Sequence, residues 1–256
     1  MPRFADRLVY FPVRAHDGGT PASIGLASED VHPEASDGVR LHGWWVPAQP
    51  PGLAVLLLHG NAGNISHRLD KLALLHGLGA SVLLLDYRGY GASEGAPDEA
   101  GLYRDAEAAW SWLRARGQPP ERIVLFGESL GGTVATDLAV RHPVGGLILD
   151  STPSSIIGVA KHHYPLVPVG LFLAARYDAL SRIDRVHAPV LVMHSPDDEI
   201  VPFAMAEALY AAAPGPKRLV RLTGGHNDAF LVSAATYAGA LRDFLDTVGR
   251  QASAAD

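Results

Sequence analysis

Residues 122–132 read RIVLFGESLGG. Arg122 to Phe126 is a short apolar run of strand type, and Leu130 to His142 continues with helical spacing. Between them, Gly127-Glu128-Ser129-Leu130-Gly131 is a G-x-S-x-G sequence in the strand–turn–helix context that gives it meaning. So tight a turn holds its central residue in a strained backbone conformation. Glycines two positions to either side remove the Cβ atoms that would collide with it. The Ser129 hydroxyl then stands at a helix N-terminus, where unpaired N–H groups and the helix dipole favour an anion. A chance match in a chain with 27 glycines would not carry this placement.

Outward from the elbow, short apolar runs alternate with longer helical stretches. Leu53–Leu58, Ser81–Asp86, Gly146–Leu149, Pro189–Met193 and Arg218–Leu222 read as strands, the first two apolar enough to be buried on both faces. Ser66–Leu78, Asp98–Arg116, Pro202–Ala213 and Asp228–Val248 read as helices. This alternation predicts an α/β fold: a mostly parallel sheet flanked by helices. Ser23–His32 and Val39–Val46 have no helix between them and are expected to enter the sheet antiparallel, making about eight strands in all. Trp44 and Trp45 are neighbours on that entry strand, so one is expected in the core and the other facing out. Residues 1–256 form a single domain in this reading. The segment 154–188 is too long for a simple crossover, and Pro165 and Pro168 argue against one long helix. It is expected to be a small helical cap over the strand ends.

A serine hydroxyl needs a base beside it, and the base needs a group to orient it. In this fold order both follow the nucleophile, at later strand ends. The strand ending at Met193 runs into HSPDDEIVP, residues 194–202, and the strand ending at Leu222 runs into TGGHND, residues 223–228. His226 is the expected base. Asp198 is the preferred acid, with its neighbour Asp197 as the alternative. Asp228 is expected to cap the last helix, and Glu128 to be fixed in the elbow and point elsewhere. After the Leu53–Leu58 strand comes HGNAGN, residues 59–64. An oxyanion hole requires two N–H donors. These are expected from Leu130 and from Asn61, with Ala62 as the alternative. Asn64 would cap the turn, and His59 would brace the loop. The loop at Tyr87–Ser93 reads as mainly structural, with Tyr90 near the site.

Composition narrows the field further. There is no cysteine, which excludes disulfides, thiolate metal sites and a cysteine nucleophile. A formal net charge of -6 without a basic cluster argues against nucleic acid as a partner. No apolar run reaches the roughly 18 residues of a membrane span. The opening MPRFADRLVYFP is too short and interrupted for a signal peptide, so a cytoplasmic location is expected. His162-His163 would be a tempting metal pair, but adjacent residues do not share a helix face, and no metal is assigned.

These residues together resemble the α/β-hydrolase superfamily, and more closely its Bem46/ABHD17-like serine hydrolases, from about Leu8 to Leu245. The markers are LVYFP, GLASEDV, DGVRLHGWWVPA, LLLHGNAGNIS, LLLDYRGYGASEG, GESLGG, PVLVMHSPDDEIVP and GGHND. The resemblance implies an α/β-hydrolase fold and a Ser129–Asp198–His226 triad, with Asp198 taken over Asp197 from its D-x-I-V-P context. It also implies ester or thioester hydrolysis of a small-molecule substrate with no cofactor. Eukaryotic relatives include protein depalmitoylases, whose Cys-rich N-terminus this chain lacks. A thioesterase, an exopeptidase and a non-catalytic scaffold on the same frame are the rival expectations.

Overall fold

The apolar runs after residue 50 pair side by side, as strands buried on both faces must. Their order is set by the helices that connect them. The structure, a computed structural model, describes residues 8–255; the opening stretch read above for a signal peptide lies in part outside the described residues. Eight strands form the main sheet: β1 (Glu29–Val31), β2 (His42–Val46), β3 (Ala54–Leu58), β4 (Ser81–Asp86), β5 (Ile123–Glu128), β6 (Gly146–Asp150), β7 (Val190–His194) and β8 (Lys217–Arg221). Across the sheet they run β1-β2-β4-β3-β5-β6-β7-β8. As expected, β1 pairs antiparallel with β2, and β2 with β4, while the other six strands are mutually parallel. A further two-residue ladder joins Phe11–Pro12 to Ala62–Gly63.

The helices are α1 (Leu69–Gly77), α2 (Glu99–Ala115), α3 (Leu130–Arg141), α4 (Ile156–His163), α5 (Phe203–Ala212), α6 (Ala229–Val232) and α7 (Ala234–Ala255). Alternate residues of each central strand feed two cores. Leu56, Leu83, Leu125 and Leu147 pack with Leu102, Leu138 and Leu209 of α2, α3 and α5. Val55, Val82, Val124 and Ile148 pack with Leu72 of α1 and Leu241 and Phe244 of α7. Each fully buried leucine contributes about 1.5–3 kcal/mol relative to exposure. No helix among the described residues is long and apolar enough to cross a membrane.

Three expectations need correction. Trp44 and Trp45 are both buried, at 3% and 6% exposure. They do point to opposite faces, but β2 has a core on each side, and Trp45 packs edge-on to Trp112. The last helix is broken: Ser233 separates α6 from α7, its hydroxyl taking the Thr223 N–H at 2.7 Å. Asp228 therefore does not cap a long helix; its Oδ1 accepts the Gly225 N–H at 2.6 Å and shapes the loop before His226. Residues 154–188 contain only α4 and the single 3-10 turns Val169–Leu171 and Ile183–Arg185. The prolines and the missing hydrogen bonds they impose leave the rest irregular.

Candidate functional site

At the C-terminal end of β5 the chain turns directly into α3, and Ser129 sits in that turn with φ 50° and ψ −117°. An L-residue holds this conformation only where its surroundings enforce it. The enforcing contacts are short: Ser129 N–H donates to Asp150 O at 2.8 Å, on the neighbouring strand. A Cβ on Gly127 would lie 2.3 Å from Gly132 Cα, and one on Gly131 would lie 2.0 Å from Leu58 O. Glycine is required at both positions by close approach of backbone.

The strand ends bring the three expected side chains together. Ser129 Oγ is 3.0 Å from His226 Nε2, and His226 Nδ1 is 2.7 Å from Asp198 Oδ2. Asp198 Oδ1 is occupied by the N–H groups of Ile200 at 2.9 Å and Val201 at 2.7 Å. Oδ2 also lies 3.2 Å from His194 Nε2. Burial alone would raise the Asp198 carboxyl. The hydrogen bonds from His194, His226 and Val201 outweigh it and hold the group well below the usual carboxylate range. Asp197, the alternative acid, is exposed.

The loop after β3 lies against Ser129. A Cβ on Gly60 would come within 3.5 Å of Ser129 Cβ. The Asn61 peptide is pinned from both sides: its carbonyl accepts the Tyr90 hydroxyl at 2.8 Å and the Phe11 N–H at 2.9 Å, and its side chain donates to Val9 O at 3.0 Å. Tyr90 is thus buried against this loop. His59 is fully buried between Tyr87 and Tyr90, with Nδ1 2.7 Å from Gly60 O. Burial, helped by the nearby Arg68 charge, lowers its pKa to about 4, so it stays neutral at pH 7. Asn64 accepts the Ser66 N–H at 2.9 Å, as an N-cap does.

Sequence reading missed a charged cluster directly beneath the elbow. Glu128 Oε1 lies 3.1 Å from Arg68 Nη2, and Oε2 3.1 Å from Lys71 Nζ. Lys71 also reaches Asp150 Oδ2 at 2.6 Å, which accepts the Tyr237 hydroxyl at 2.6 Å. Burial opposes the charges of Glu128 and Lys71, yet Lys71 and Arg68 draw the Glu128 carboxyl well down, and Asp150 and Glu128 raise Lys71. A cavity of about 120 Å³ runs from this cluster to His226 and Phe230. Glu199 was missed as well; its Oε2 accepts the His226 N–H at 3.0 Å and fixes the histidine's backbone. The only cue to it was its place next to Asp198. A wider hollow of about 640 Å³, against Leu53, Leu78 and Leu245, lies at the opposite ends of the strands and takes in none of the three residues of the serine–histidine–aspartate line.

His162 and His163 end α4 on the surface, and His163 Nε2 lies 2.8 Å from Ile200 O. Among the described residues no acidic group joins them in a metal-binding cluster.

Comparison with known proteins agrees with this architecture. The model of the alpha/beta hydrolase fold family matches residues 54–182. An uncharacterised protein of Mycobacterium tuberculosis is 46% identical over 93% of this chain and 86% of its own. The alpha/beta hydrolase domain-containing protein WAV2 of Arabidopsis thaliana is 35% identical over 91% of this chain and 85% of its own. Among solved structures, an esterase of Pyrococcus furiosus superposes with a TM-score of 0.79 at 21% identity, covering 93% of this chain and 98% of that one. At that identity the likeness is one of fold.

Proposed function

Because the chain belongs to the alpha/beta hydrolase family, we propose that it is a serine hydrolase cleaving carboxylic esters of small molecules through an acyl-enzyme. One observation carries this reading. The unbroken line from Ser129 Oγ through His226 to Asp198, at 3.0 and 2.7 Å, starts from a nucleophile elbow in a strained conformation. The presence of esterases among the structural neighbours is in keeping with it.

In this reaction His226 Nε2 takes the Ser129 proton as Oγ attacks the acyl carbon. Asp198 holds the imidazole in the tautomer that leaves Nε2 free, and stabilises the imidazolium that forms. The tetrahedral oxyanion rests on the N–H groups of Leu130 and Asn61. Such donors are worth about 10²–10³ in rate each. Collapse expels the alcohol, which leaves with the His226 proton. Water then attacks the acyl-enzyme, giving its proton to His226, and the acid departs as Ser129 regains its hydrogen. No cofactor takes part. The segment 154–188 serves as the cap: α4 reaches the loop carrying Asp198 through His163 and Ile200, and its apolar residues suit a short to medium aliphatic or aryl acyl group.

The test is kcat/KM across p-nitrophenyl esters of increasing acyl length, with matched acyl thioesters and aminoacyl amides alongside. Turnover of the oxyesters that falls to background in Ser129→Ala is the expected result. Preference for the thioesters or amides would change the bond assigned. No turnover of any class would leave the scaffold reading.

A further inference from the structure

A second cluster of titratable groups lies at the antiparallel edge of the sheet, away from the serine, histidine and aspartate just described. Asp86 ends β4 and pairs in register with His42 of β2, while His16 arrives from the N-terminal segment. His16 Nε2 is 2.9 Å from Asp86 Oδ2, and His42 Nδ1 is 3.9 Å from the same oxygen. One atom from each of the three lies within 4.8 Å of the other two. Asp86 is fully buried and His42 is 6% exposed.

The hydrogen bonds around His42 give this arrangement a direction. His42 Nε2 lies 2.7 Å from Asp30 Oδ1. A carboxylate only accepts, so Nε2 carries the proton. In the neutral ring, Nδ1 is then a bare lone pair, and this buried atom has no hydrogen-bond partner. It faces the Asp86 carboxylate, and against the cost of burial Asp86 and Asp30 together raise the His42 pKa, so positive charge is favoured at this point. His59 repeats the pattern from the other side: Nδ1 is spent on Gly60 O, and the buried Nε2 has no hydrogen-bond partner and lies 3.7 Å from Asp86 Oδ1. Asp86 has donors of its own, His16 Nε2 at 2.9 Å on Oδ2 and the Ile65 N–H at 3.0 Å on Oδ1, but the two buried imidazole nitrogens that face it have none, and an unmet buried acceptor is costly. A cation at their focus would turn the cost into ligation.

We infer that His16 Nε2, His42 Nδ1 and Asp86 Oδ2 form a binding site for a divalent transition-metal ion of the zinc type. Two imidazoles and one carboxylate suit such ions rather than magnesium or calcium, which take oxygen ligands. A ring N–H given to a carboxylate, as His42 gives to Asp30, is the outer arrangement that orients metal-binding histidines. Ligands about 2.0–2.2 Å from a tetrahedral ion lie about 3.4 Å from one another, so His42 Nδ1, now 3.9 Å from Asp86 Oδ2, must close by about 0.5 Å, and His16 Nε2, now 2.9 Å from it, must open by about as much. His16, 20% exposed, is free to make that movement and gives the ion its way in. Gly91 leaves the space open: a Cβ there would lie 1.9 Å from Asp86 Oδ2 and 2.5 Å from His16 Nε2.

The ion would act as a staple. Asp86 Oδ1 accepts the Ile65 N–H at 3.0 Å, and Asn64 Nδ2 donates to Val13 O at 3.0 Å and to Ala15 O at 2.6 Å. One ion would thus tie residues 13–16, two strands and the loop beside Ser129 to a single point.

The experiment is zinc titration of chelator-treated full chain, followed by calorimetry and thermal melting. One Zn²⁺ per chain, with a Tm rise that chelator reverses, is expected. His16→Gln keeps an N–H donor for Asp86 and removes the imidazole ligand; at least tenfold weaker binding is expected, with the metal-free Tm little changed. Asp30→Asn, at an exposed position, keeps the fold and is expected to weaken binding about tenfold by loosening His42. His163→Gln should leave binding unchanged. Absence of stoichiometric binding would overturn the site and assign a proton to His42 Nδ1 instead. So would binding that survives both His16→Gln and Asp30→Asn, or is lost with His163→Gln. None of these measurements reads ester hydrolysis, so the outcome is independent of the triad.

Discussion

Asp198 lies 2.7 Å from His226 through one carboxylate oxygen and spends the other on the N–H groups of Ile200 and Val201. The Asp198 carboxylate is therefore held by its own loop as well as by the histidine. Asp198→Asn preserves the shape but replaces the acceptor facing Nδ1, favouring the wrong tautomer. A fall in kcat of about 10³–10⁴ is expected. Asp197→Asn, one position away and exposed, should leave kcat within about twofold. Steady-state kinetics on one ester with both variants checks this.

Glu128 links the elbow to Arg68 and Lys71, and its folded pKa is depressed below the unfolded value of about 4.3. A depressed carboxylate stabilises the fold above the unfolded pKa, and that stabilisation is lost as pH falls through the folded one. Glu128→Gln is thus expected to lower stability by about 3 kcal/mol at pH 7, leaving the buried Lys71 and the half-buried Arg68 with Asp150 alone. The gap from wild type should narrow steadily below about pH 4.3. Thermal melts followed by circular dichroism from pH 7 to pH 3 read both parts.

Glycine positions separate the elbow from ordinary helix. Gly127→Ala drives a Cβ to 2.3 Å from Gly132 Cα, so backbone must shift. A loss of more than about 2 kcal/mol, together with nearly all activity, is expected. Gly239 lies within α7 with nothing within 4 Å of an added Cβ. Gly239→Ala should stabilise by about 0.4–1 kcal/mol through the unfolded chain. Urea unfolding of the two variants gives opposite signs.

Tyr90 reaches the candidate oxyanion loop through its hydrogen bond to Asn61 O. Tyr90→Phe removes about 1 kcal/mol of orientation from that peptide. If Asn61 N–H holds the oxyanion, kcat should fall about fivefold with KM nearly unchanged. Equal change in KM would assign Tyr90 to substrate binding.

The residues that the sequence made legible are those whose signals are local. The elbow announces itself within five residues, and the acid and base follow apolar runs that can only be strands. The Lys71–Asp150 and Arg68–Glu128 pairs were hidden, because their members belong to different elements and meet only when α1 packs on the sheet. Trp44 and Trp45 were misjudged for a related reason: alternation predicts opposite faces, but not that both are covered. Pro165 and Pro168 argue from sequence against one long helix after β6, but they do not say how little of residues 154–188 is helical, which is α4 and two 3-10 turns. His16, His42 and Asp86 come from three separate stretches, and no spacing rule joins them.

The central claim is that Ser129 is a nucleophile activated by His226. Labelling with a fluorophosphonate, read by intact mass and peptide mapping, tests it without knowledge of the substrate. One adduct per chain, on Ser129, and none in Ser129→Ala or His226→Ala is the predicted result. A wild-type chain that stays unlabelled, or an adduct on another residue, would contradict it.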